Sequence, residues 1–394
     1  MGAVETQSKS QMIREQMPAT LKYAYLNTGT FGPLPRASIE AMQAYQQDEL
    51  AEGRIGSAGY QRGFEARNMA RAEVAKIFNC PPDNVALTRH TTDGMNIGIL
   101  GLNWQPGDEL IISDMEHPGG QIPAYNVARR YGVTLRLARL GDGTGDVVGK
   151  IERLISRRTR MIVVSHLTWN TGTVLPLADI VAMAHRHHVL VVADAAQSAA
   201  SVPVDLPAMG IDVYGAPGQK WMCGPEGTGA TYVSDEALDV IQPTVVGYMS
   251  MAGHGMETAG GYFLPGPGAH RFEVGGANGP AMLGQAKSVN FINETVGLDW
   301  AYRRIVQLGQ YAWDGLSKID GVTMITPKDQ MAGLTCFNLA GIEPPALVEK
   351  LVEHGVVIRY IGTPLCARVS TGFYNTEEDV DRLVAGVEEI KRSL

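Results

Sequence analysis

Between residues 85 and 235 the chain alternates short, nearly continuous apolar runs with longer stretches in which apolar positions recur every three or four residues. The short runs read as strands: VALT (85–88), ELIISD (109–114), VTLRLARL (133–140), MIVVSHL (161–167), VLVVADAA (189–196), DVYGAP (212–217) and GATYVS (229–234). The segments GGQIPAYNVARRYG and LADIVAMAHRHH between them carry helical periodicity. A strand with one wet face alternates apolar and polar residues. Strands that are apolar throughout are buried on both faces, and the intervening helices supply the crossovers that parallel strands need. The pattern predicts an α/β fold built on a mainly parallel sheet.

Beyond residue 235 the pattern changes. Residues 236–280 are rich in Gly, Pro and Met and read as long loops. A helix is predicted from about Ala281, leading into a C-terminal α+β segment. That segment closes with TEEDVDRLVAGVEEIKRSL, where Thr376 is placed to cap the helix and Asp379 stands three residues on. At 394 residues, with no internal repeat, the chain suits one large domain and a smaller one. Its net charge of −8 comes without a basic run or a Lys/Arg stripe, which argues against nucleic acid and membrane partners. No apolar run approaches the roughly 18 residues that cross a bilayer. The N-terminal MGAVETQSKSQMIREQMP has no apolar secretory core and reads as a solvated tail, although Gly2 and Thr6 fit the short myristoylation pattern. Cys80, Cys223, Cys336 and Cys366 are scattered, as expected of reduced thiols in a cytoplasmic protein.

In sheets of this kind ligands bind beyond the carboxyl ends of the strands. Asp194 ends VLVVAD, and an acid there is costly to desolvate without a cationic partner. Lys220 follows the next strand, set among glycines in YGAPGQKW. RHTTDGMN (89–96) follows the first strand and opens a helix, so its hydroxyls and free backbone N–H groups form an anion site. A lysine amine, an acid and a phosphate cradle are together what pyridoxal 5′-phosphate requires. A bare Lys220–Asp194 ion pair would account for those two residues alone. GPEGTG (224–229) lacks a following Lys-Ser/Thr and precedes a strand, so it reads as turn chemistry. His185, His187 and His188 end a helix with no acid near them in sequence, so no metal site is expected.

These residues, with EHPG (116–119), SHLTWNTGTVLPLADI (165–180), RFEVGG (271–276) and the region around Arg368, run in an order that resembles the class V aminotransferase family. That family has pyridoxal-phosphate fold type I and includes the cysteine desulfurases. The resemblance spans about residues 25 to 380 and is greatest to its cysteine/cystine C–S lyase branch; isopenicillin N epimerase-like proteins are more distant. It implies a large domain at 31–280 with a mainly parallel seven-stranded sheet, and a small α+β domain at 281–394. The segment 1–30 is expected to pack with the small domain.

The roles follow position by position. Lys220 matches the Schiff-base lysine that later shuttles the α-proton, and its glycine neighbours give cofactor and substrate close access. Asp194 matches the acid that keeps the pyridine nitrogen protonated, His117 the imidazole that stacks on the ring, and Gln197 the partner of the phenolic oxygen. Thr91 and Thr92 match the phosphate pair of a T-T-E-G-x-N signature, with Asp93 in place of glutamate. Arg368 matches the arginine that holds the substrate carboxylate. Arg359 is either a second carboxylate contact or a surface charge. Asn170 is a candidate substrate contact, although alignment on Gly172 sets Trp169 at the family's asparagine. Tyr248 and Met249 lie on a loop placed to wall the pocket.

Two positions depart from the family. The hydroxyl residue and the histidine that touch phosphate before the lysine are Pro217 and Gln219 here; proline cannot donate, whereas the glutamine amide can. RFEVGG resembles a loop whose threonine reaches the partner subunit's phosphate, and Gly276 leaves only a backbone contact. That loop implies a homodimer. The reaction expected is β-elimination at the C–S bond of cysteine, cystine or an S-substituted cysteine, giving pyruvate, ammonia and a sulfur product, with Lys220 as base. An amino-acid epimerase or an aminotransferase is the alternative. A desulfurase is less expected: its cysteine rides a mobile loop well before the carboxylate arginine, while Cys366 stands two residues from Arg368 and reads as structural.

Overall fold

The computed structural model describes residues 3–255 and 261–394. After a short strand β1 (Ala24–Tyr25) come β2 (Val85–Thr88), β3 (Glu109–Ser113), β4 (Thr134–Ala138), β5 (Thr159–Ser165), β6 (Leu190–Asp194), β7 (Val213–Pro217) and β8 (Gly229–Val233). Strands β2 to β8 form one seven-stranded sheet in the order β2-β8-β7-β6-β5-β3-β4. The strands β3 to β7 are parallel, and β8 runs antiparallel to both its neighbours. Each of these strands corresponds to a predicted run, with ends moved by a few residues at most.

Double-sided burial explains why the runs carry so few polar residues. Along β6, Val191 and Ala193 enter one core with Phe78, Ile180 and Val181, while Val192 enters the opposite core with Met95, Ile99 and Val127. Helices Gly56–Phe78 and Leu177–Arg186 cover the first face, and Thr91–Gly101 and Pro118–Tyr131 the second. The helix Thr91–Gly101 lies close to the sheet because Gly94 has no side chain: a Cβ there would collide with Thr231 Oγ1 and come within 2.8 Å of Gly215 Cα.

A second sheet gathers β9 (Val322–Met324), β10 (Leu334–Leu339), β12 (Arg359–Gly362) and β13 (Leu365–Ser370), antiparallel throughout in the order β12-β13-β10-β9. Between β10 and β12, β11 (Val356–Val357) pairs with β1, and Ser370 N–H donates to Leu26 O at 2.8 Å. Residues 24–30 therefore run alongside the end of β13. The closing helix spans Glu377–Arg392, with the Asp379 carboxylate accepting the Thr376 N–H at 3.2 Å.

The N-terminal segment is no solvated tail. Ala3–Gln16 is helical, Ile13 and Met17 are fully buried, and Arg14 pairs with Asp379 at 2.6 Å. Gly2 of the myristoylation pattern lies outside the described residues. The loops of 236–280 hold the short helix Asp235–Val240 at their start and single turns at Ala252–Gly255 and Gly268–Phe272; residues 256–260 are not among those described. The helix expected near Ala281 starts at Gly279 behind an Asn278 cap and packs on the helices Arg36–Glu52 and Gly56–Phe78. Among the described residues no helix is long and apolar enough to cross a membrane.

Candidate active site

The chain leaves β3 toward one edge of the sheet and β5 toward the other, so a crevice opens between these neighbours at their carboxyl ends. His117 follows β3, Asp194 ends β6, Lys220 follows β7, and the helix beginning at Thr91 follows β2. Residues Gly29 and Thr30, held by β1 and β13, close the crevice from the other sheet.

Asp194 is 4% exposed and its Oδ1 accepts the Ala196 N–H at 2.8 Å. Burial raises its pKa, opposed by that N–H and by Lys220. Lys220 has no hydrogen-bond or ion-pair partner among the described residues, so the two do not form a bare structural ion pair. Burial, helped by Arg368 and Arg359 and opposed by Asp194, brings the Lys220 amine down to about 8. Gln197 is buried: its Nε2 donates to Gly29 O and its Oε1 accepts from Trp221 Nε1, both at 2.9 Å. The glycines around Lys220 serve the loop itself rather than only access to the amine. Gly218 N–H donates to Thr228 O at 2.7 Å, and a Cβ on Gly218 would strike the Thr228 side chain.

Arg368 is 1% exposed, yet no carboxylate lies within ion-pair reach of it among the described residues. Its Nη1 donates to Trp169 O at 2.9 Å and its Nη2 to Gly29 O at 3.1 Å, while Nε is buried without a partner. Burial lowers its pKa to about 10. Arg359 stands directly opposite Arg368 in the β12–β13 register and donates to Thr30 Oγ1 at 3.3 Å. Like charges facing each other across a strand pair are destabilising unless an anion joins them. Arg359 is half-buried and shares the Thr30 hydroxyl with Arg368.

His117 caps the helix Pro118–Tyr131 by accepting the Gly119 N–H at its Nδ1, 3.0 Å away. Desolvation, then Lys220, Arg368 and Arg359, push its pKa down to about 4, so the ring is neutral. Trp169 meets it edge-on, with ring centroids 5.1 Å apart. Trp169 thus touches both His117 and Arg368. Asn170 is buried with an unpaired side-chain oxygen and bonds to none of the other candidates. Sequence reasoning passed over Glu116, a fully buried acid beside His117; its place in EHPG was the available signal.

At the other end of the crevice the first turns of two helices converge. A Cβ on Gly119 would lie 2.7 Å from Thr92 Oγ1 and 3.2 Å from His117 Nδ1, so glycine keeps open a small gap beside a hydroxyl and an imidazole nitrogen. Thr91 is buried at the helix start, and Asp93 turns away to pair with Arg89 at 2.9 Å. Gln219 has a buried side-chain oxygen without a partner. Gly276 is not brought to this crevice: it lines a separate cavity of about 500 Å³ with Arg67, Arg89 and Asn96, near the Tyr248 ring. The helix-end histidines find acids that the sequence did not place beside them, His185 bonding Asp212 at 3.0 Å and His187 bonding Glu152 at 3.2 Å.

The family model described as aminotransferase class V matches residues 24–383. A probable cysteine desulfurase of Halalkalibacterium halodurans is 28% identical, covering 93% of this chain and 93% of that protein. Among solved structures, the cystine C–S lyase C-DES in complex with its product cysteine persulfide is 31% identical with a TM-score of 0.89, covering 95% of this chain and 99% of that one. A C-DES mutant with glycine covalently linked to its PLP cofactor superposes with a TM-score of 0.90 at the same identity and coverage.

Proposed function

The chain belongs to the class V aminotransferase family, and from that membership we propose that it is a pyridoxal 5′-phosphate-dependent lyase that cleaves the carbon–sulfur bond of cysteine, cystine or an S-substituted cysteine. The observation that carries the reading is one crevice holding a lysine amine and a buried Arg368, with Arg359 opposite it, neither arginine having a carboxylate partner among the described residues.

The residues fit the cofactor. Lys220 would hold it covalently, Asp194 and Gln197 would meet its ring, His117 would lie against it, and Thr91, Thr92 and Gln219 would meet its phosphate at the gap that Gly119 keeps open. When bound, the cofactor supplies an electron sink for the pair left by a departing α-proton. Asp194, pinned by the Ala196 N–H, supplies a fixed negative charge at the crevice floor. Arg368 and Arg359 bind the substrate carboxylate and so set which Cα bond faces the lysine. Lys220 Nζ, with a pKa of about 8, has a share of neutral amine near neutral pH and can take the proton from Cα. His117 stays neutral and does not compete for the carboxylate.

Elimination needs no enzyme thiol. Cys366 is fully buried, hydrogen-bonded with Cys336 in a cluster against which Trp169 packs, and its pKa is pushed up. Replacing Cys366 with Ser tests this directly. Pyruvate formation from cystine should stay within about threefold, because a buried hydroxyl in place of the thiol alters packing and hydrogen bonding only. A folded, cofactor-loaded serine variant without activity would point to persulfide chemistry instead.

We further infer a homodimer joined near Gly276, where Val245, Tyr248, Phe263, Leu264 and Val274 are exposed. The division at residues 30 and 280, and a cytoplasmic location suited to four unpaired thiols, belong to the same proposal.

A further inference from the structure

Glu116 is a buried carboxylate that the chemistry above leaves unused. It sits directly before His117 and is 2% exposed. Its Oε1 accepts the Ser113 hydroxyl at 2.5 Å and the Ser165 N–H at 2.8 Å, and its Oε2 accepts the Ser165 hydroxyl at 2.8 Å. Ser113 ends β3 and Ser165 ends β5. One side chain therefore crosslinks the two strands that flank the crevice. Ser165 lies opposite Asp194 in the β5–β6 register, and His166 N–H donates to Asp194 O at 3.1 Å. Two buried carboxylates thus share one end of the sheet with Ser165 between them.

We propose that Glu116 is a positioning residue of this site: it fixes the turn that carries His117 and, across Ser165, holds Asp194 in the place and charge state that the reaction needs. The inference rests on the functional reading of His117 and Asp194 given above. Its physical basis is that two neighbouring carboxylates in a low-dielectric setting cannot both ionise freely. Burial and the Asp194 charge raise the Glu116 pKa to about 7, against the pull of Ser113 and Ser165. Lys220 favours the charge on Asp194, and that charge in turn disfavours a charge on Glu116. His117, the next residue, feels Lys220, Arg368 and Arg359 and has already lost its proton at that pH.

Glutamine keeps the shape and the hydrogen bonds of Glu116, because its oxygen can still accept from Ser113 and the Ser165 N–H while the Ser165 hydroxyl turns to accept, but it cannot titrate. The test compares wild type with Glu116→Gln, both loaded with pyridoxal phosphate. It reads cofactor affinity, the visible absorbance of the bound cofactor from pH 5.5 to 8.5, and kcat and KM for pyruvate release. We expect affinity and KM within about threefold and kcat lower by about tenfold, the pattern of a displaced catalytic geometry. We also expect a step near pH 7 in the wild-type absorbance that the variant lacks. An unchanged kcat together with an unchanged absorbance titration would make Glu116 a passive staple and overturn the proposal. If Glu116→Gln does not fold, Ser165→Ala removes the hydroxyl link and keeps the N–H bond. The step should then move to higher pH, and an unmoved step overturns the proposal equally. A wild-type protein that takes up no cofactor would instead overturn the functional reading, and this inference with it.

Discussion

Replacing Arg368 with Met should cripple recognition of the substrate carboxylate while leaving the fold nearly intact. In the wild type the guanidinium is 1% exposed, with two backbone carbonyls and the Thr30 hydroxyl as partners and no acid among the described residues. A charge-assisted hydrogen bond contributes about 1.5–3 kcal/mol, and cutting one partner out of a buried charged pair costs about 2–5 kcal/mol. Arg359 stays beside the site and softens the loss, so about 3 kcal/mol, or roughly a hundredfold in affinity, is expected. Two effects oppose each other in the ligand-free fold. The Trp169 carbonyl loses its donor, which costs about 1–3 kcal/mol if it stays unpaired, whereas Gly29 O keeps the Gln197 amide. Removing an uncompensated buried charge returns a similar amount. The assay measures inhibition constants for a competitive amino-acid inhibitor and for its carboxamide. The variant should bind the acid about a hundredfold more weakly and the amide almost as wild type does. Acid binding within threefold of wild type, or equal losses for both ligands, would refute the carboxylate role.

Lys220→Ala should retain less than a thousandth of wild-type turnover in a pyruvate assay, since both the covalent hold and the base are gone; retention of a tenth would be incompatible with the mechanism. Asp194→Ala should lower kcat by roughly two orders of magnitude, as loss of a main electrostatic stabiliser does, and steady-state kinetics at saturating cofactor reads it; an unchanged kcat would remove Asp194 from the chemistry. The lowered Lys220 pKa gives a pH dependence with a definite sign: the reactive neutral amine is present above about 8 and lost as pH falls through that value. Cofactor uptake by the apo-protein should therefore rise about tenfold between pH 7 and 9 and then level off, whereas an ordinary lysine amine would let it climb past pH 10.

Patterns that are local in sequence were legible. Strands buried on both faces, such as Leu190–Asp194, are apolar throughout, so the large sheet could be read off the chain. The same holds for the Thr376 cap and for the Thr91 helix start. Pairings between distant residues were not legible. Glu116 meets Ser165 only because β3 and β5 are neighbours, so EHPG marked the acid's place in sequence but not its partner. That Arg359 faces Arg368 follows from a strand register the sequence does not display. Ile13 of the N-terminal helix and Met17 just beyond its end are buried, too few apolar residues to stand out from a polar tail. Trp169 was visible, but its contacts with His117 and Arg368 come from tertiary packing.

Product analysis tests the central claim most directly. Wild-type protein loaded with pyridoxal phosphate is incubated with cystine, and separately with cysteine, and pyruvate, ammonia, alanine and racemised amino acid are quantified over time. A lyase releases pyruvate and ammonia in equal amounts, with no alanine and no sulfur left on the protein. Alanine together with a protein-bound persulfide, or racemised substrate without pyruvate, would contradict the account.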